Sequence, residues 1–224
     1  MADPRLINDP KTIDVITYRE LRELSYMGAT VLHEDAIFPV RIAKIPINIK
    51  NTNRPEDPGT FIVSHTDQPP RNIITGIAGR KSFVVITIEK DMMNAEIGFV
   101  RRVLDIFEKY NINFEHLPTG IDTLSIIINE QDGETFKDVL FKDLQAKVNP
   151  DSIEYQKSLS LIAVVGRGMV RTKGTAARVF SAVANAGVNI RMIDQGSSEL
   201  NIIIGVNDGD FERAMRAIYE AFAG

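Results

Sequence analysis

The chain has 224 residues, of which 44% are hydrophobic, and this is enough for one large domain or two to three small ones. Its formal net charge is −4, so no basic excess favours a nucleic acid or an anionic membrane surface as a partner. Cysteine is absent, which excludes disulfides and thiolate metal sites, and the apolar runs are too short to span a membrane. With an N-terminus that lacks a signal-peptide pattern, these properties predict a cytoplasmic protein.

The first segment of the chain predicts two helices and one strand. A helix over residues 18–27, capped by Asp14, precedes a helix over residues 34–43 and a strand over residues 46–50. Turn-forming residues at 51–59 then indicate a linker or surface loop. Two helices and a strand are too few to close a core, so the segment is expected to be an incomplete part of an α/β domain. The apolar side chains left without a sheet would be mobile or buried in an oligomer contact, namely Leu21, Leu24, Leu32, Ile37 and Phe38.

A pattern of residues occurs twice in the rest of the chain. Its landmarks recur at a constant separation of 76 residues, in the pairs Gly98 and Gly174, Asn113 and Asn189, and Leu124 and Leu200. A constant separation without gaps indicates one supersecondary unit used twice. A pair of small repeated domains is more typical of binding and regulation than of catalysis.

Each repeat predicts the element order βαββαβ. For the first repeat the pattern predicts strands over residues 73–78 and 83–88 with a polar break between them, a helix from Gly98, strands over 112–117 and 123–128, and a helix over 135–146. For the second it predicts strands over 152–155 and 159–165, a helix over 175–186, strands over 188–193 and 199–206, and a helix over 211–223. The predicted fold class is therefore α+β, with two ferredoxin-like units that each have a four-stranded antiparallel sheet. The uncovered sheet faces and edges are expected to pair with one another or with a second copy.

Nothing in the sequence assembles a catalytic site by spacing. The three histidines are scattered, and the motifs of zinc proteases, nucleophile elbows and phosphate-binding loops are all absent. Residues 166–168 (GRG) begin like a dinucleotide-binding fingerprint, but Arg171 stands where its third glycine belongs. The chain is therefore expected to bind small molecules without transforming them.

Two glycines, Gly98 and Gly174, stand where a loop meets the start of a predicted helix. Backbone N–H groups and the positive end of the helix dipole converge there, which suits a carboxylate, although glycine could equally be present only to permit the turn. Glu115, on the strand expected beside the first of these loops, could meet an ammonium group or simply be solvated. Its counterpart in the second repeat is Arg191, so the two repeats are expected to differ in ligand.

Residues 81–129 and 158–207 resemble the paired ACT domains of aspartate kinase. The resemblance rests on the strand motifs at 111–116 (NINFEH) and 187–192 (GVNIRM) and on 164–169 (VVGRGM). The first segment resembles the end of the kinase domain in residues 2–5 (ADPR), 27–33 (MGATVLH), 45–49 (IPINI) and 58–60 (PGT). The resemblance implies four parts: a kinase-domain remnant at 1–56, a linker at 57–70, a first ACT domain at 81–148, and a second ACT domain formed by 71–80 and 149–224.

The resemblance also implies a function. The intact kinase phosphorylates L-aspartate with MgATP, which starts the route to lysine, threonine and methionine, and its ACT domains bind lysine or threonine for feedback control. The implied effector contacts are Met93, Glu96, Ile97, Gly98, Phe99, Val100, Asn113, Phe114 and Glu115. The implied remnants of the nucleotide site are Asp3, Arg5, Thr30 and Val31. Lysine is favoured over threonine because Glu115 offers an anionic partner to a second ammonium group.

The chain departs from the family in two respects. The family's catalytic Lys-Phe-Gly-Gly motif and its aspartate-binding region are absent, and Thr30 and Glu34 replace the family's lysine and proline around residues 31–33 (VLH). The chain alone is therefore expected to be inactive and to hold no cofactor, with the missing catalytic domain as a partner and a homodimer formed through the ACT domains. The alternative is a structural oligomerisation module whose effector site is unused.

Overall fold

The computed structural model describes residues 1–29 and 34–223, and within them the chain forms two compact units. Unit 1 comprises Met1–Arg80 together with Leu161–Gly224, and unit 2 comprises Lys81–Ser160. Both units contain helices and strands, as the α+β prediction requires. No helix in the described part of the chain is both long and apolar enough to cross a membrane.

The first segment of unit 1 forms a small three-stranded sheet. Its elements are β1 (Val15–Thr17), α1 (Tyr18–Tyr26), α2 (Glu34–Ile42), β2 (Ile47–Ile49) and β3 (Thr60–Val63). Strand β3 lies in the centre, parallel to β1 and antiparallel to β2. Residues 57–70, for which the family resemblance implied a linker, contain the four residues of β3. The structure instead pairs these residues with the strands of the first segment.

Helix α1 begins at Tyr18, as predicted, but its N-cap is Thr17 rather than Asp14. Glu20 N–H donates to the Thr17 hydroxyl oxygen, and the Glu20 carboxylate accepts from Thr17 N–H at 3.0 Å, which completes a capping box. The buried side of α1 carries Leu21 and Leu24, whose exposed fractions are only 6% and 5%. The expectation that these two leucines are mobile or buried in an oligomer contact is wrong, because the chain itself covers them. Leu32 lies outside the described residues.

Unit 2 is built from two helices packed on a sheet. Its elements are β4 (Gly76–Glu89), α3 (Phe99–Lys109), β5 (Thr123–Asn129), α4 (Glu130–Val148) and β6 (Ser152–Val165), where β4 begins and β6 ends in unit 1. Strands β4 and β5 pair antiparallel, with Val84 opposite Ile128 and Glu89 opposite Thr123. The core of the unit lies between this sheet and the two helices.

The strand predicted over residues 112–117 is not regular. In the described structure this segment makes one isolated bridge to β5, His116 with Ile127, and a second follows just after it, Thr119 with Leu124. Pro118, between them, has no N–H to donate to a ladder, although its carbonyl accepts from Ser125 N–H at 2.9 Å. The segment is therefore extended and lies beside β5 with fewer hydrogen bonds than a full strand.

Strands β4 and β6 are each continuous where sequence reasoning expected two strands. The polar residues that suggested breaks lie inside the strands. Each strand also contains one residue of positive φ, Ser82 at 70° in β4 and Ser158 at 58° in β6. A single left-handed residue bends a strand without ending it. Both strands can therefore pass from unit 1 into unit 2.

The rest of unit 1 completes a second helix-on-sheet layer. Its elements are α5 (Thr175–Asn185), β7 (Met192–Asp194), β8 (Asn201–Asn207) and α6 (Phe211–Ala223). In this unit the strands are ordered β4-β6-β8-β7, with β7 and β8 antiparallel. The predicted strand over residues 188–193 is shorter than expected, since only Met192–Asp194 pairs with β8. The core joins α5, α6 and the sheet.

The packing of α4 yields a stability prediction. Leu140 is fully buried in the core of unit 2, whereas its neighbour Val139 is 40% exposed. Leu140→Ala leaves a cavity in a close-packed core and is expected to lower the free energy of unfolding by about 2–5 kcal/mol. Chemical denaturation measures the change, and Val139→Ala is the matched control, with an expected loss below about 1 kcal/mol. Equal losses in the two variants would contradict the described packing of α4.

Candidate functional site

The loop between β4 and α3 is held by a carboxylate with two cationic partners. Glu96 Oε2 lies 2.6 Å from Lys90 Nζ, and Glu96 Oε1 accepts a hydrogen bond from the Arg102 guanidinium. Lys90 Nζ also donates to the Val148 carbonyl at 2.6 Å, and Arg102 donates to the Ile97 carbonyl at 3.1 Å. The loop is thus tied to both α3 and α4.

The charge state of Glu96 follows from these contacts. The hydrogen bond from Lys90 lowers the pKa of Glu96 below its ordinary value of 4.5, against the opposing effect of partial burial. The positive charges of Lys90 and Arg102 lower the pKa further. Glu96 is therefore ionised at neutral pH, and its charge is already balanced within the loop.

Gly98 starts α3 with a left-handed backbone, φ 78° and ψ 12°. Among the described residues no side chain caps this helix start, while Phe99 N–H donates to the Glu96 carbonyl at 3.1 Å. The remaining N–H groups of the first turn and the positive end of the dipole are therefore suited to a carboxylate from outside the helix. Met93 and Phe99 are buried in the core, so they can offer backbone groups more readily than side chains, whereas Ile97 is 96% exposed.

The other predicted contacts lie on the segment beside β5. Glu115 N–H donates to the Ile127 carbonyl at 2.8 Å, which fixes the position of Glu115 along the sheet. Asn113 is exposed, Phe114 is 43% exposed, and one carboxylate oxygen of Glu115, Oε2, is buried. The segment thus presents both apolar and polar groups.

The two halves of the predicted site are not adjacent within one copy of the chain. The loop end of β4 lies beside Asp122, whose carbonyl accepts from Lys90 N–H at 2.9 Å. Glu115 lies beside Ile127, four residues after Thr123, so it is displaced along the strand by about 14 Å at about 3.4 Å per residue. The structure therefore brings Met93, Glu96, Ile97, Gly98, Phe99 and Val100 together and leaves Asn113, Phe114 and Glu115 towards the other end of the sheet.

Unit 1 contains an equivalent helix start with different surroundings. Gly174 precedes α5 with φ 84°, and again no side chain in the described structure caps the helix. Arg191, the counterpart of Glu115, donates from its backbone to the Gly205 carbonyl at 2.8 Å and from its guanidinium to Asn207 at 3.2 Å. The backbone geometry of the helix start is repeated, but the charge at the position equivalent to Glu115 has the opposite sign.

The predicted remnant of a nucleotide site is an ion pair. Arg5 Nη2 lies 2.7 Å from Asp3 Oδ2. The hydrogen bonds that the Asp3 carboxylate accepts from the Arg5 side chain and from Arg5 N–H lower the pKa of Asp3. Both residues line a cavity of about 380 Å³ in unit 1 whose other walls are mostly apolar. Thr30 and Val31 lie outside the described residues. Within the described ranges, no group of three or more His, Asp or Glu side chains is arranged to hold a metal ion.

Sequence reasoning missed a buried carboxylate in unit 1. Glu20 is 0% exposed, and besides Thr17 it has two distant partners. Oε1 accepts from the Thr75 hydroxyl at 2.5 Å and from Arg167 N–H at 2.9 Å, while Oε2 lies 3.2 Å from the Arg167 guanidinium. We call this cluster of Thr17, Glu20, Thr75 and Arg167 the Glu20 node. The capping-box spacing of Thr17 and Glu20 was the one signal in the sequence that could have identified part of it.

The ionisation of Glu20 depends on these donors. Burial raises the pKa of Glu20, but the hydrogen bonds from Thr75, Arg167 and Thr17 outweigh this effect and lower the pKa below 4.5. The GRG motif explains how Arg167 reaches the carboxylate. A Cβ on Gly166 would lie 2.6 Å from Thr75 N, so only glycine allows the two backbones to approach this closely.

Comparison with known proteins gives matches to both parts of unit 1. A model of the amino acid kinase family matches residues 1–51, and a model of the ACT domain matches residues 162–222. Aspartokinase 3 of Bacillus subtilis is 41% identical over 223 residues, which are 99% of this chain and 49% of that protein.

Solved structures of aspartate kinases resemble the chain over its whole length. The Clostridium acetobutylicum aspartate kinase, described as an allosteric enzyme, has a TM-score of 0.94 and 54% identity over 99% of this chain and 51% of that one. E. coli aspartokinase III in complex with lysine and aspartate has a TM-score of 0.77 and 26% identity over 100% of this chain and 49% of that one. The chain spans about half the length of these relatives. It belongs to the aspartate kinase family and corresponds to the C-terminal part of these proteins, the end of the amino-acid-kinase domain with the ACT regulatory region.

Proposed function

We propose that the chain is the amino-acid-sensing regulatory region of a cytoplasmic aspartate kinase and that lysine or threonine binds at the start of α3. The observation that carries the proposal is the helix start at Gly98, which no described side chain caps and which a loop pinned by Glu96 keeps in place. The complex of E. coli aspartokinase III with lysine supports an amino acid as the ligand class. The intact kinase would use L-aspartate and MgATP as substrates, and this chain would regulate its activity.

The chemistry of an amino acid suits the two halves of the site. Its carboxylate would accept hydrogen bonds from the first-turn N–H groups of α3, where the absence of a side chain on Gly98 allows close approach. Its ammonium group would meet the Glu115 carboxylate, and lysine, which has a second ammonium group, would gain more from this charge than threonine. Glu96 would act through the loop, since Lys90 and Arg102 already balance its charge.

A complete site requires two copies of the chain. The segment that contains Glu115 lies at the edge of the sheet of unit 2, outside β5. If two such edges pair antiparallel, residues near Asn113 of one copy lie opposite residues near Thr119 of the other. Thr119 lies at the loop end of the sheet, beside Leu124. Each Glu115 would then approach the Gly98 loop of the other copy, and a homodimer would hold two effectors.

Regulation would follow from differential affinity. An effector held between two copies binds tightly only to the arrangement that brings both halves together, so it increases the population of that arrangement. The attached catalytic domain would respond through the same equilibrium. A structural module without effector is the second candidate. The helix start at Gly174 favours it, because the same backbone geometry occurs there with Arg191 in place of Glu115 and thus without a carboxylate for an ammonium group.

The effector site is tested by titrating the 224-residue chain with lysine and with threonine in a calorimeter. We expect saturable binding that weakens at least about tenfold in Gly98→Ala, because a Cβ obstructs the approach of the carboxylate. Gly174→Ala is the matched control, since both glycines have φ near 80° and both variants suffer a similar backbone cost of about 1–2 kcal/mol. Absence of heat with either amino acid would favour the structural module.

The role of Glu115 is tested with an isosteric change. Glu115→Gln is expected to reduce the affinity for lysine about tenfold or more and the affinity for threonine less, because only lysine has a second ammonium group. Glu108→Gln on the exposed side of α3 removes the same charge away from the site. Equal losses for the two ligands would contradict the preference for lysine.

The two-copy site predicts that the effector promotes dimers. In sedimentation velocity, lysine is expected to increase the dimer fraction of the wild-type chain, and Phe114→Lys is expected to abolish dimers by placing a charge at the pairing edge. Phe61→Lys is the control, since Phe61 is 41% exposed and Phe114 is 43% exposed. Dimers that persist in Phe114→Lys would contradict pairing at this edge.

The pinned loop predicts a dependence on pH. Since the pKa of Glu96 is lowered on folding, its contacts stabilise the loop above the unfolded value of 4.5 and are lost as the pH falls through the lower folded value. Below pH 4.5, amide hydrogen exchange in residues 90–98 should therefore become faster relative to the exchange of the rest of the chain. Glu96→Gln should lack this increase in the relative exchange rate. An increase of equal size in that variant would mean that another group causes it.

A further inference from the structure

Two strands enter unit 1 from unit 2, and both reach the Glu20 node. Strand β4 starts at Gly76, directly after Thr75, and β6 ends at Val165, two residues before Arg167. The two strand ends are joined by Thr75 N–H, which donates to the Val165 carbonyl at 2.7 Å. Thr75 and Arg167 therefore mark the ends of the only two strands that the units share in the described structure.

The carboxylate of Glu20 binds both of these ends at the same oxygen. Oε1 accepts from the Thr75 hydroxyl at 2.5 Å and from Arg167 N–H at 2.9 Å, and Oε2 is bonded to the Thr17 hydroxyl at 2.7 Å. Arg167 also donates to the Val15 carbonyl at 3.3 Å, in β1. Helix α1 and strand β1 belong to the part of the chain that matches the amino acid kinase family.

The node has little freedom to adjust. Its carboxylate is fully buried, so a displaced donor leaves a charged oxygen unsatisfied and unable to reach water. Gly168 packs as closely as Gly166, because a Cβ there would lie 2.5 Å from the Asn72 carbonyl oxygen. A shift of either strand end must therefore move α1 or break a hydrogen bond to a buried charge.

We infer that Glu20 couples the effector site in unit 2 to the kinase-derived helix α1, by binding the ends of β4 and β6 with one buried carboxylate. The inference rests on the proposed function, because it requires an effector that acts on unit 2. It makes Glu20 a positioning residue, one that transmits a shift of the strands and does not touch the effector or any substrate.

Hydrogen–deuterium exchange of α1 tests the coupling in the whole chain. Peptides covering Tyr18–Tyr26 are followed with and without saturating L-lysine, or L-threonine if lysine gives no heat. In the wild type the amino acid is expected to change the exchange rate of α1 at least about fivefold. In Glu20→Gln the amino acid should still bind saturably, but the change in α1 should disappear. Thr75→Val removes a single donor and serves if Glu20→Gln folds poorly, with a reduced response expected.

Glu23→Gln is the matched control. Glu23 lies on the same helix and accepts from Asn201 at 2.6 Å, without contact to Thr75 or Arg167 among the bonds of the described structure. This variant should respond to the amino acid as the wild type does. Binding without a response of α1 in the wild type, or a full response in Glu20→Gln and Thr75→Val, would overturn the coupling alone. Absence of binding to the wild type would overturn the proposed function and the coupling with it.

Discussion

A single buried charge organises unit 1. The Glu20 carboxylate is fully buried, and a group of this kind stays ionised only if hydrogen bonds replace the water that it has lost. Thr17 supplies them from the helix start, while Thr75 and Arg167 supply them from the ends of β4 and β6. The position of α1, the start of β4 and the turn after β6 therefore depend on one another.

Unit 2 uses its charges differently. Glu96 lies near the surface, and its partners Lys90 and Arg102 come from the end of β4 and from α3, so the three side chains stabilise a loop. The helix start at Gly98 keeps its backbone N–H groups without a side-chain cap among the described residues. A loop held by ion pairs, with uncapped backbone donors, suits an anionic group, whereas Glu115 lies at a distance along the sheet, which is why the proposed effector site uses a second copy.

Sequence reasoning found the repeat, both glycine helix starts and most helices, because these depend on residues a few positions apart. It divided β4 and β6 into two strands each, because the same polar residues occur in a sequence where a strand ends and where a strand only bends. It predicted a regular strand before Pro118 from β-branched and aromatic content, but pairing with β5 is limited there by the missing N–H of proline. The predicted contacts at residues 93–100 lie together because they are close in sequence, whereas the displacement of Glu115 from them is not apparent in the sequence.

The sequence by itself determined the family, the α+β class, the duplicated unit and the residue types at the two helix starts, because periodicity and spacing are local properties. Only the tertiary structure decided the partners of the buried charges. Glu20 and Arg167 are 147 residues apart, and no local pattern brings them together. Their contact exists because β6 ends beside the start of β4, and because two glycines let the backbones approach closely enough for Arg167 to reach the carboxylate.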